Sequence, residues 1–209
     1  MRLLFITRDP SALGMGWRRA MRRSSGFWSA CRWNRAAIGA PTNIASAILM
    51  EPGIIEKIVV IWLGGTALHW PSAAEFNLEQ DVAASQLLFD CGVPMIRIPC
   101  TDVTSHLLTT VHEVGYYLKG KNPIANYLYE CFQEFVEQKK CLSKVVWDIA
   151  AVACLVNPEW VPAHIVHSPI LSDQLTWSMD RGRHFGKDAF AVQRDAIFLD
   201  VFSKLCRIG

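Results

Sequence analysis

Runs of apolar residues alternate with amphipathic segments from Ala36 to the end of the chain. The uninterrupted apolar run Ile58–Leu63 predicts a strand that is buried on both faces, and Met95–Ile98 predicts a shorter one. Helical spacing, together with capping residues, predicts helices over Ile44–Met50 (capped by Thr42 and Asn43), Leu78–Cys91, Leu107–Lys119, Pro123–Gln138, Asp148–Val156 and Arg194–Leu205. Short strands are predicted at Ile165–Val166 and Leu175–Met179. This alternation favours an α/β fold, with an open, mostly parallel sheet and helices on both faces.

The first 35 residues follow a different pattern. No acidic residue occurs between Asp9 and Glu51, whereas arginines and tryptophans are frequent there. Apart from a strand within Met1–Thr7 and a helical turn or two within Trp17–Arg23, we find no clean period. The chain is therefore divided into an atypical, irregular basic leader, residues 1–35, and a domain, residues 36–209. A nucleic-acid-binding arm is the alternative, but the arginines neither alternate nor keep to one helix face, so nucleic acid is not the favoured partner.

Composition narrows the class of protein. The chain has 209 residues, of which 51% are hydrophobic, so it can bury the core of one domain. A net charge of +2 does not by itself imply nucleic acid or a membrane as partner. No apolar run reaches the ~18–20 residues of a membrane helix. The seven cysteines are scattered and form no C-x-x-C pair, which favours a reduced cytoplasmic protein over a disulfide framework.

Polar residues that follow the strand Ile58–Leu63 are candidates for a ligand site. Open α/β sheets build ligand sites at the carboxyl ends of their strands. Here the strand is followed by the turn Gly64-Gly65 and then by polar residues. Glu75 and Asn77 lie two positions apart, so in an extended segment both would point the same way and could bind sugar hydroxyls. The alternative is that Glu75 only faces the dipole of a following helix.

Three further polar residues lie at positions where either a structural or a functional role has to be considered. Asp148 opens an apolar helix and is either its N-cap or a ligand for a hard cation such as Ca²⁺. His69 lies in a loop and could act as an acid or base, although its spacing assigns it no partner. Asp102 is interpreted as a turn former.

Several stretches together resemble the calcium-dependent, inosine/uridine-preferring nucleoside hydrolases. They contain G-x-x-T-N-I-A, A-E-F-N and a late D-x-x-A-V-A in the family's order, and they cover roughly Ala36 to the end. The matching stretches are Ala37–Ile54, Lys57–Gly65, Ala73–Ala84, Pro99–Thr104, Trp147–Trp160 and Arg194–Leu205.

The resemblance implies hydrolysis of the N-glycosidic bond of a ribonucleoside to ribose and free base, through an oxocarbenium-like state. It implies that Glu75 and Asn77 bind ribose hydroxyls, and that His69 lies near the position of a further ribose-binding residue. It implies a Ca²⁺ cofactor whose ligands include Asp148 and the backbone carbonyl of Ile38. The expected partner is a ribonucleoside, with no membrane, and a homo-oligomer is compatible with the pattern.

The chain also departs from the family. The segment D-x-D-x-G-x-D-D, which supplies most metal carboxylates and the general base, has no counterpart, and Trp147 stands where the family has a histidine. The catalytic residue is therefore unknown. The sequence predicts an N-terminally truncated member that lacks the family's first strands, has an exposed sheet edge and is of doubtful activity as written. The alternative is a non-catalytic remnant that binds ribose, a nucleoside or another protein.

Overall fold

The computed structural model describes residues 5–7 and 33–207, with side chains from residue 34 onward. Its strands are β1 (Phe5–Thr7), β2 (Trp33–Ala37), β3 (Ile58–Leu63), β4 (Met95–Ile98), β5 (Leu108–Thr110), β6 (Ser143–Val145), β7 (Ala163–His167), β8 (Ile170–Leu171), β9 (Trp177–Ser178) and β10 (Phe185–Ala189). Its α-helices are α1 (Thr42–Met50), α2 (Phe76–Glu79), α3 (Val82–Asp90), α4 (Val111–Leu118), α5 (Pro123–Lys139), α6 (Ile149–Val156) and α7 (Arg194–Leu205). Short 3-10 helices cover Pro52–Glu56, Thr104–His106 and Pro158–Trp160.

The main sheet has six strands in the order β1-β2-β3-β4-β10-β7. The four central strands β2, β3, β4 and β10 are mutually parallel, whereas the edge strands β1 and β7 each run antiparallel to their neighbour. Two small antiparallel pairs, β5–β6 and β8–β9, lie outside this sheet. The prediction of an open, mostly parallel sheet is confirmed.

The central strand β3 is buried along its whole length, and its side chains alternate between two hydrophobic cores. Val59, Ile61 and Leu63 belong to the core that contains residues of α4, α5, α6 and α7. Val60 and Trp62 belong to the other core, which contains residues of α1, α2 and α3. Helices therefore cover both faces of the sheet, as expected for a strand that is apolar at every position.

Two predicted helices have different boundaries in the structure. The segment predicted as one helix, Leu78–Cys91, contains the end of α2 and the whole of α3. The two helices are separate because the Asp81 side chain accepts a hydrogen bond from the Ala84 amide and so caps the start of α3. The segment Leu107–Lys119 begins as strand β5, which pairs with β6, and becomes helical only after Thr110 caps α4. In both segments a capping side chain sets the start of the helix.

Other details of the helices also differ from the prediction. Helix α1 starts at Thr42 without a side-chain cap, so the predicted Thr42-Asn43 cap is wrong. The amphipathic pattern of Pro123–Gln138 places Ile124, Leu128, Phe132 and Phe135 on one helix face, yet in α5 Ile124 and Leu128 are 47% and 38% exposed. Ala125 and Val136 are its buried residues.

Strand β9 is shorter than predicted at Leu175–Met179. Leu175 has a φ of +57° and lies in the turn that precedes the strand, so the extended segment is limited to Trp177–Ser178. By contrast, the predicted strand at Ile165–Val166 lies within β7, and α7 has the predicted bounds.

Most of the predicted leader, including Trp17–Arg23, lies outside the described residues. Of the predicted strand Met1–Thr7, the described part is Phe5–Thr7, which pairs with β2. Strand β2 itself spans the expected boundary between residues 35 and 36. Within the described residues, no helix is both long and apolar enough to cross a membrane.

Candidate functional site

The parallel strands end at one edge of the sheet, and the segments that follow them form the candidate site. Ile38 follows β2, Gly64 and Gly65 follow β3, and Cys100 lies just beyond β4. Gly65 has a φ of +73°, and a Cβ atom there would lie 3.1 Å from Arg97 Nη1. This turn therefore requires glycine. The Cys100 amide donates to the Gly65 carbonyl at 2.8 Å, which joins the turns after β3 and β4.

Glu75 connects the glycine turn to helix α2. Its Oε2 accepts a hydrogen bond from the Gly65 amide at 2.9 Å, and its Oε1 accepts one from the Asn77 amide at 3.0 Å. The Leu78 amide lies 3.4 Å from Oε2. Glu75 is thus the N-cap of α2, as the alternative interpretation held, and the same carboxylate also fixes the turn at the carboxyl end of β3.

Asn77 is oriented differently from Glu75. Asn77 is 7% exposed, and its Nδ2 donates to the carbonyl of Leu63 at 3.0 Å. Glu75 has extended backbone dihedrals whereas Asn77 already lies in the first turn of α2. The expected side-by-side orientation of an extended segment is therefore not found, and the Asn77 amide holds α2 against the end of β3.

Asp148 lies directly before α6 and makes no side-chain cap to that helix. Partial desolvation raises its pKa, the Lys144 charge opposes this shift, and the Glu75 charge raises the pKa further. The buried thiol of Cys100 interacts electrostatically with both carboxylates. Burial raises the pKa of Cys100, as do the charge of Glu75, a hydrogen bond to Glu75 and the charge of Asp148. The structure therefore brings Glu75 and Asp148 within electrostatic range of each other, from positions far apart in the sequence.

His69 has a partner that its spacing did not reveal. Its Nε2 lies 2.9 Å from Oδ2 of Asp102, so the loops after β3 and β4 are joined by a histidine–carboxylate pair at the surface. Asp102 has a φ of +74°, a conformation that is uncommon for aspartate outside turns. The expectation that Asp102 only forms a turn is thus incomplete, because its carboxylate also pairs with His69.

A calcium site requires about six to eight oxygen ligands. Among the described residues, no group of three or more histidine, cysteine, aspartate or glutamate side chains is arranged to hold a metal ion. No such cluster accompanies Asp148 and the Ile38 carbonyl, the predicted ligands, among the described residues. Trp147, which stands where the resemblance implies a histidine, is 38% exposed beside Asp148.

A buried ion pair behind the glycine turn was missed by the sequence analysis. Arg97 Nε donates to Asp188 Oδ1 at 2.7 Å, and Arg97 Nη1 donates to the Thr66 carbonyl at 2.6 Å. Arg97 and Asp188 are partners in the parallel pairing of β4 and β10. The available signal was an arginine inside the apolar run Met95–Ile98, because a buried charge requires a partner.

The sheet topology defines a Rossmann-like α/β protein, and the carboxylates of the candidate site lie at the ends of the parallel strands, where such folds generally bind ligands. Within that class, the chain belongs to the inosine-uridine preferring nucleoside hydrolase family, whose model matches residues 24–196.

Relatives and solved structures agree with this assignment. The chain is 28% identical over 129 residues to the pyrimidine-specific ribonucleoside hydrolase RihA of Escherichia coli O9:H4 (strain HS). The matched region covers 58% of this chain and 41% of that protein. The chain thus spans 41% of the length of the curated relative that it matches.

Two solved structures share the fold. A plant nucleoside hydrolase superposes with a TM-score of 0.71 at 18% identity, covering 84% of this chain and 62% of that one. The inosine-uridine preferring nucleoside hydrolase of Bacillus anthracis superposes with a TM-score of 0.67 at 20% identity, covering 83% of this chain and 60% of that one.

Proposed function

We propose that this chain carries the ribose-binding side of a nucleoside hydrolase site, and that a complete site of this kind hydrolyses the N-glycosidic bond of a ribonucleoside to ribose and free base. The observation that supports this most is the family match together with the position of Glu75. That carboxylate is held at the carboxyl end of the central strand, within electrostatic range of Asp148.

The chemistry of the reaction indicates what these side chains would do. Positive charge develops at C1′ of the sugar as the base leaves. A carboxylate that is already fixed by backbone amides stabilises such charge without having to reorganise. Glu75 is held in this way by the amides of Gly65 and Asn77. In the proposal, Glu75 and Asn77 bind ribose hydroxyls, and His69, oriented by Asp102, lies at the sugar's edge.

Calcium is the cofactor that we propose for a complete site, with Asp148 and the Ile38 carbonyl among its ligands. Bound calcium would supply ribose coordination and an acidified water. Because the described residues do not supply the remaining ligands, we propose that the chain as written binds ribonucleosides but hydrolyses them poorly.

Two measurements on the purified chain test the proposal. Ribose release from inosine and uridine is followed with and without Ca²⁺, and binding of both nucleosides is measured by calorimetry. We expect binding without ordinary turnover, and weaker binding in E75Q but not in E79Q. Glu79 is a matched control because it lies in the helix that Glu75 caps and is exposed.

Each outcome has a separate meaning. Turnover at ordinary enzymatic rates would show that the chain is a working hydrolase and would overturn the part of the proposal that concerns poor activity. Absence of any nucleoside binding would overturn the ribose-binding role of Glu75. Equal loss of binding in E75Q and E79Q would remove the specific role of Glu75 as well.

Localisation and assembly are further parts of the proposal. We place the protein in the cytoplasm, since the described cysteines Cys91, Cys100, Cys131, Cys141, Cys154 and Cys206 are free thiols. Assembly as a homo-oligomer is tested by the mass of the protein in solution, and a monomer over the whole accessible concentration range would exclude it.

A further inference from the structure

Arg97 is the most deeply buried charged side chain near the candidate site. Its side chain is 2% exposed, and its Nη2 lies 2.7 Å from Oδ1 of Asp188, which also accepts from its Nε. The guanidinium carbon lies 4.8 Å from the centre of the Trp177 ring, a cation–π geometry. Strands β4 and β10 thus hold the guanidinium from one side and β9 holds it from another.

The free end of the guanidinium fixes Thr66. Arg97 Nη1 donates to the Thr66 carbonyl, and Trp177 Nε1 donates to the Thr66 hydroxyl at 3.1 Å. That hydroxyl in turn donates to the carbonyl of Ser72 at 2.6 Å. Both ends of the loop between β3 and Glu75 are therefore fixed through one residue.

Glu75 depends on the same turn, because its Oε2 accepts from the amide of Gly65, the residue before Thr66. We propose that Arg97 is a positioning residue of the candidate site: it holds the Gly64–Thr66 turn so that the Gly65 amide orients the Glu75 carboxylate toward a ribose. This inference rests on the proposed function, because it gives Glu75 the ribose-binding role.

Stability alone does not account for the pair. Burial lowers the pKa of Arg97, and the charge of Asp188 only opposes that shift. A buried ion pair can often be replaced by apolar residues of similar volume without loss of stability. What apolar residues cannot replace is the hydrogen bond from Nη1 to the Thr66 carbonyl, so that contact is the specific contribution of Arg97.

The test compares R97M/D188L, which removes both charges, with R97K, which keeps a donor and a charge. Global stability is measured by urea unfolding, so that local effects are compared at known stability. Amide hydrogen exchange is then followed at Gly65, Asn77 and Leu78, whose amides face Glu75, with Val60 in β3 as the internal control. Inosine and uridine binding is measured on the same proteins by calorimetry.

We expect R97M/D188L to raise exchange at Gly65 about tenfold, the loss expected for one hydrogen bond, with Val60 unchanged after correction for stability. Nucleoside binding should weaken by a similar factor. R97K should recover part of both. Unchanged exchange at Gly65 in R97M/D188L would overturn the positioning role. If the wild type binds no nucleoside but the exchange result holds, the proposed function fails while the positioning of Glu75 stands.

Discussion

At the scale of single residues, Glu75 has two roles that sequence patterns treat as alternatives. The same carboxylate caps α2 and fixes the glycine turn after β3, so it is a structural and a candidate functional group at once. A ligand that uses Glu75 would meet a side chain whose orientation is already set. This is the condition under which a carboxylate stabilises developing charge most effectively.

We expect E75Q to lower the free energy of unfolding by about 1–2 kcal/mol, because glutamine lacks the negative charge and can accept through one oxygen only, whereas Glu75 accepts through both. E79Q should change it by less than about 0.5 kcal/mol, since Glu79 is exposed. Urea unfolding of both variants and the wild type measures this. Equal stability of E75Q and E79Q would mean that the amides of Gly65 and Asn77 gain nothing from the carboxylate.

Lys187 in β10 gives a pH-dependent prediction. Burial lowers its pKa to about 8, and Cys154 partly opposes this shift. Below pH 8, Lys187 is protonated in both the folded and the unfolded state, and its partly buried charge destabilises the folded state. Between pH 8 and the ordinary lysine pKa the unfolded state binds more protons, so stability rises with pH.

Replacing Lys187 by methionine should remove this dependence. Since the side chain is only partly buried, we expect the stability gained by K187M over the wild type to be about 1–2 kcal/mol greater at pH 7 than at pH 10. Urea unfolding at the two pH values provides the comparison, and K57M, at an exposed position, is the control. A difference between K187M and wild type that is the same at both pH values would contradict the lowered pKa.

At the scale of elements, strand and helix positions were predicted well where buried apolar residues define them, as for β3, β4 and α7. Strands β2 and β10 of the main sheet were not predicted. Other failures lie where a single side chain ends an element. Asp81 divides the segment Leu78–Cys91 into two helices. The spacing of the apolar residues does not reveal this division, because apolar residues continue on both sides of Asp81.

Asp81 should therefore be a measurable determinant of α3. Its carboxylate accepts from the Thr42 hydroxyl at 2.5 Å and from the Ala84 amide at 2.9 Å. D81A should cost about 1 kcal/mol of stability and T42A less, because T42A keeps the helix cap. The hydroxyl of Thr42 and then the Ala84 amide lower the pKa of Asp81.

The sign of the pH dependence follows from this lowered pKa. The contribution of Asp81 is fully present above the ordinary aspartate pKa and is lost as the pH falls through the lowered value. Urea unfolding of wild type and D81A from neutral pH down to the lowest pH at which both fold should show the gap closing. A gap that is constant with pH would mean that the carboxylate charge is not what caps α3.

Part of the candidate site was predictable, because the apolar pattern that predicts the strands also shows where they end. Residues that follow strand ends were found from the strand pattern, and Glu75, Asp148 and His69 came from motifs or loops beside them. Pairings across the fold were not found, because Asp102 with His69 and Asp188 with Arg97 join segments whose contact depends on strand order. A single sequence contains no direct signal of strand order.

At the scale of the whole molecule, the described chain contains a core on each face of the sheet but not a cluster of metal ligands. We therefore expect millimolar Ca²⁺ to leave the thermal midpoint of the purified chain essentially unchanged. A site filled at 100 times its dissociation constant would add about 2.7 kcal/mol, which is several degrees for a protein of this size.

D148N supplies the control for this measurement. A calcium-dependent rise of several degrees that disappears in D148N would show that Asp148 completes a metal site together with other ligands of the chain, and would contradict the expectation. A rise that persists in D148N would instead indicate calcium bound elsewhere.

The ion pair between β4 and β10 also has a consequence for how long the turn stays assembled. Arg97 and Asp188 are 91 positions apart along the chain, so closing the loop between them costs entropy before the contact is gained. We expect this contact to form late in folding, so that its loss accelerates unfolding more than it slows folding. We therefore expect loss of the pair to shorten the time for which the sheet stays folded, in addition to loosening the turn that holds Glu75.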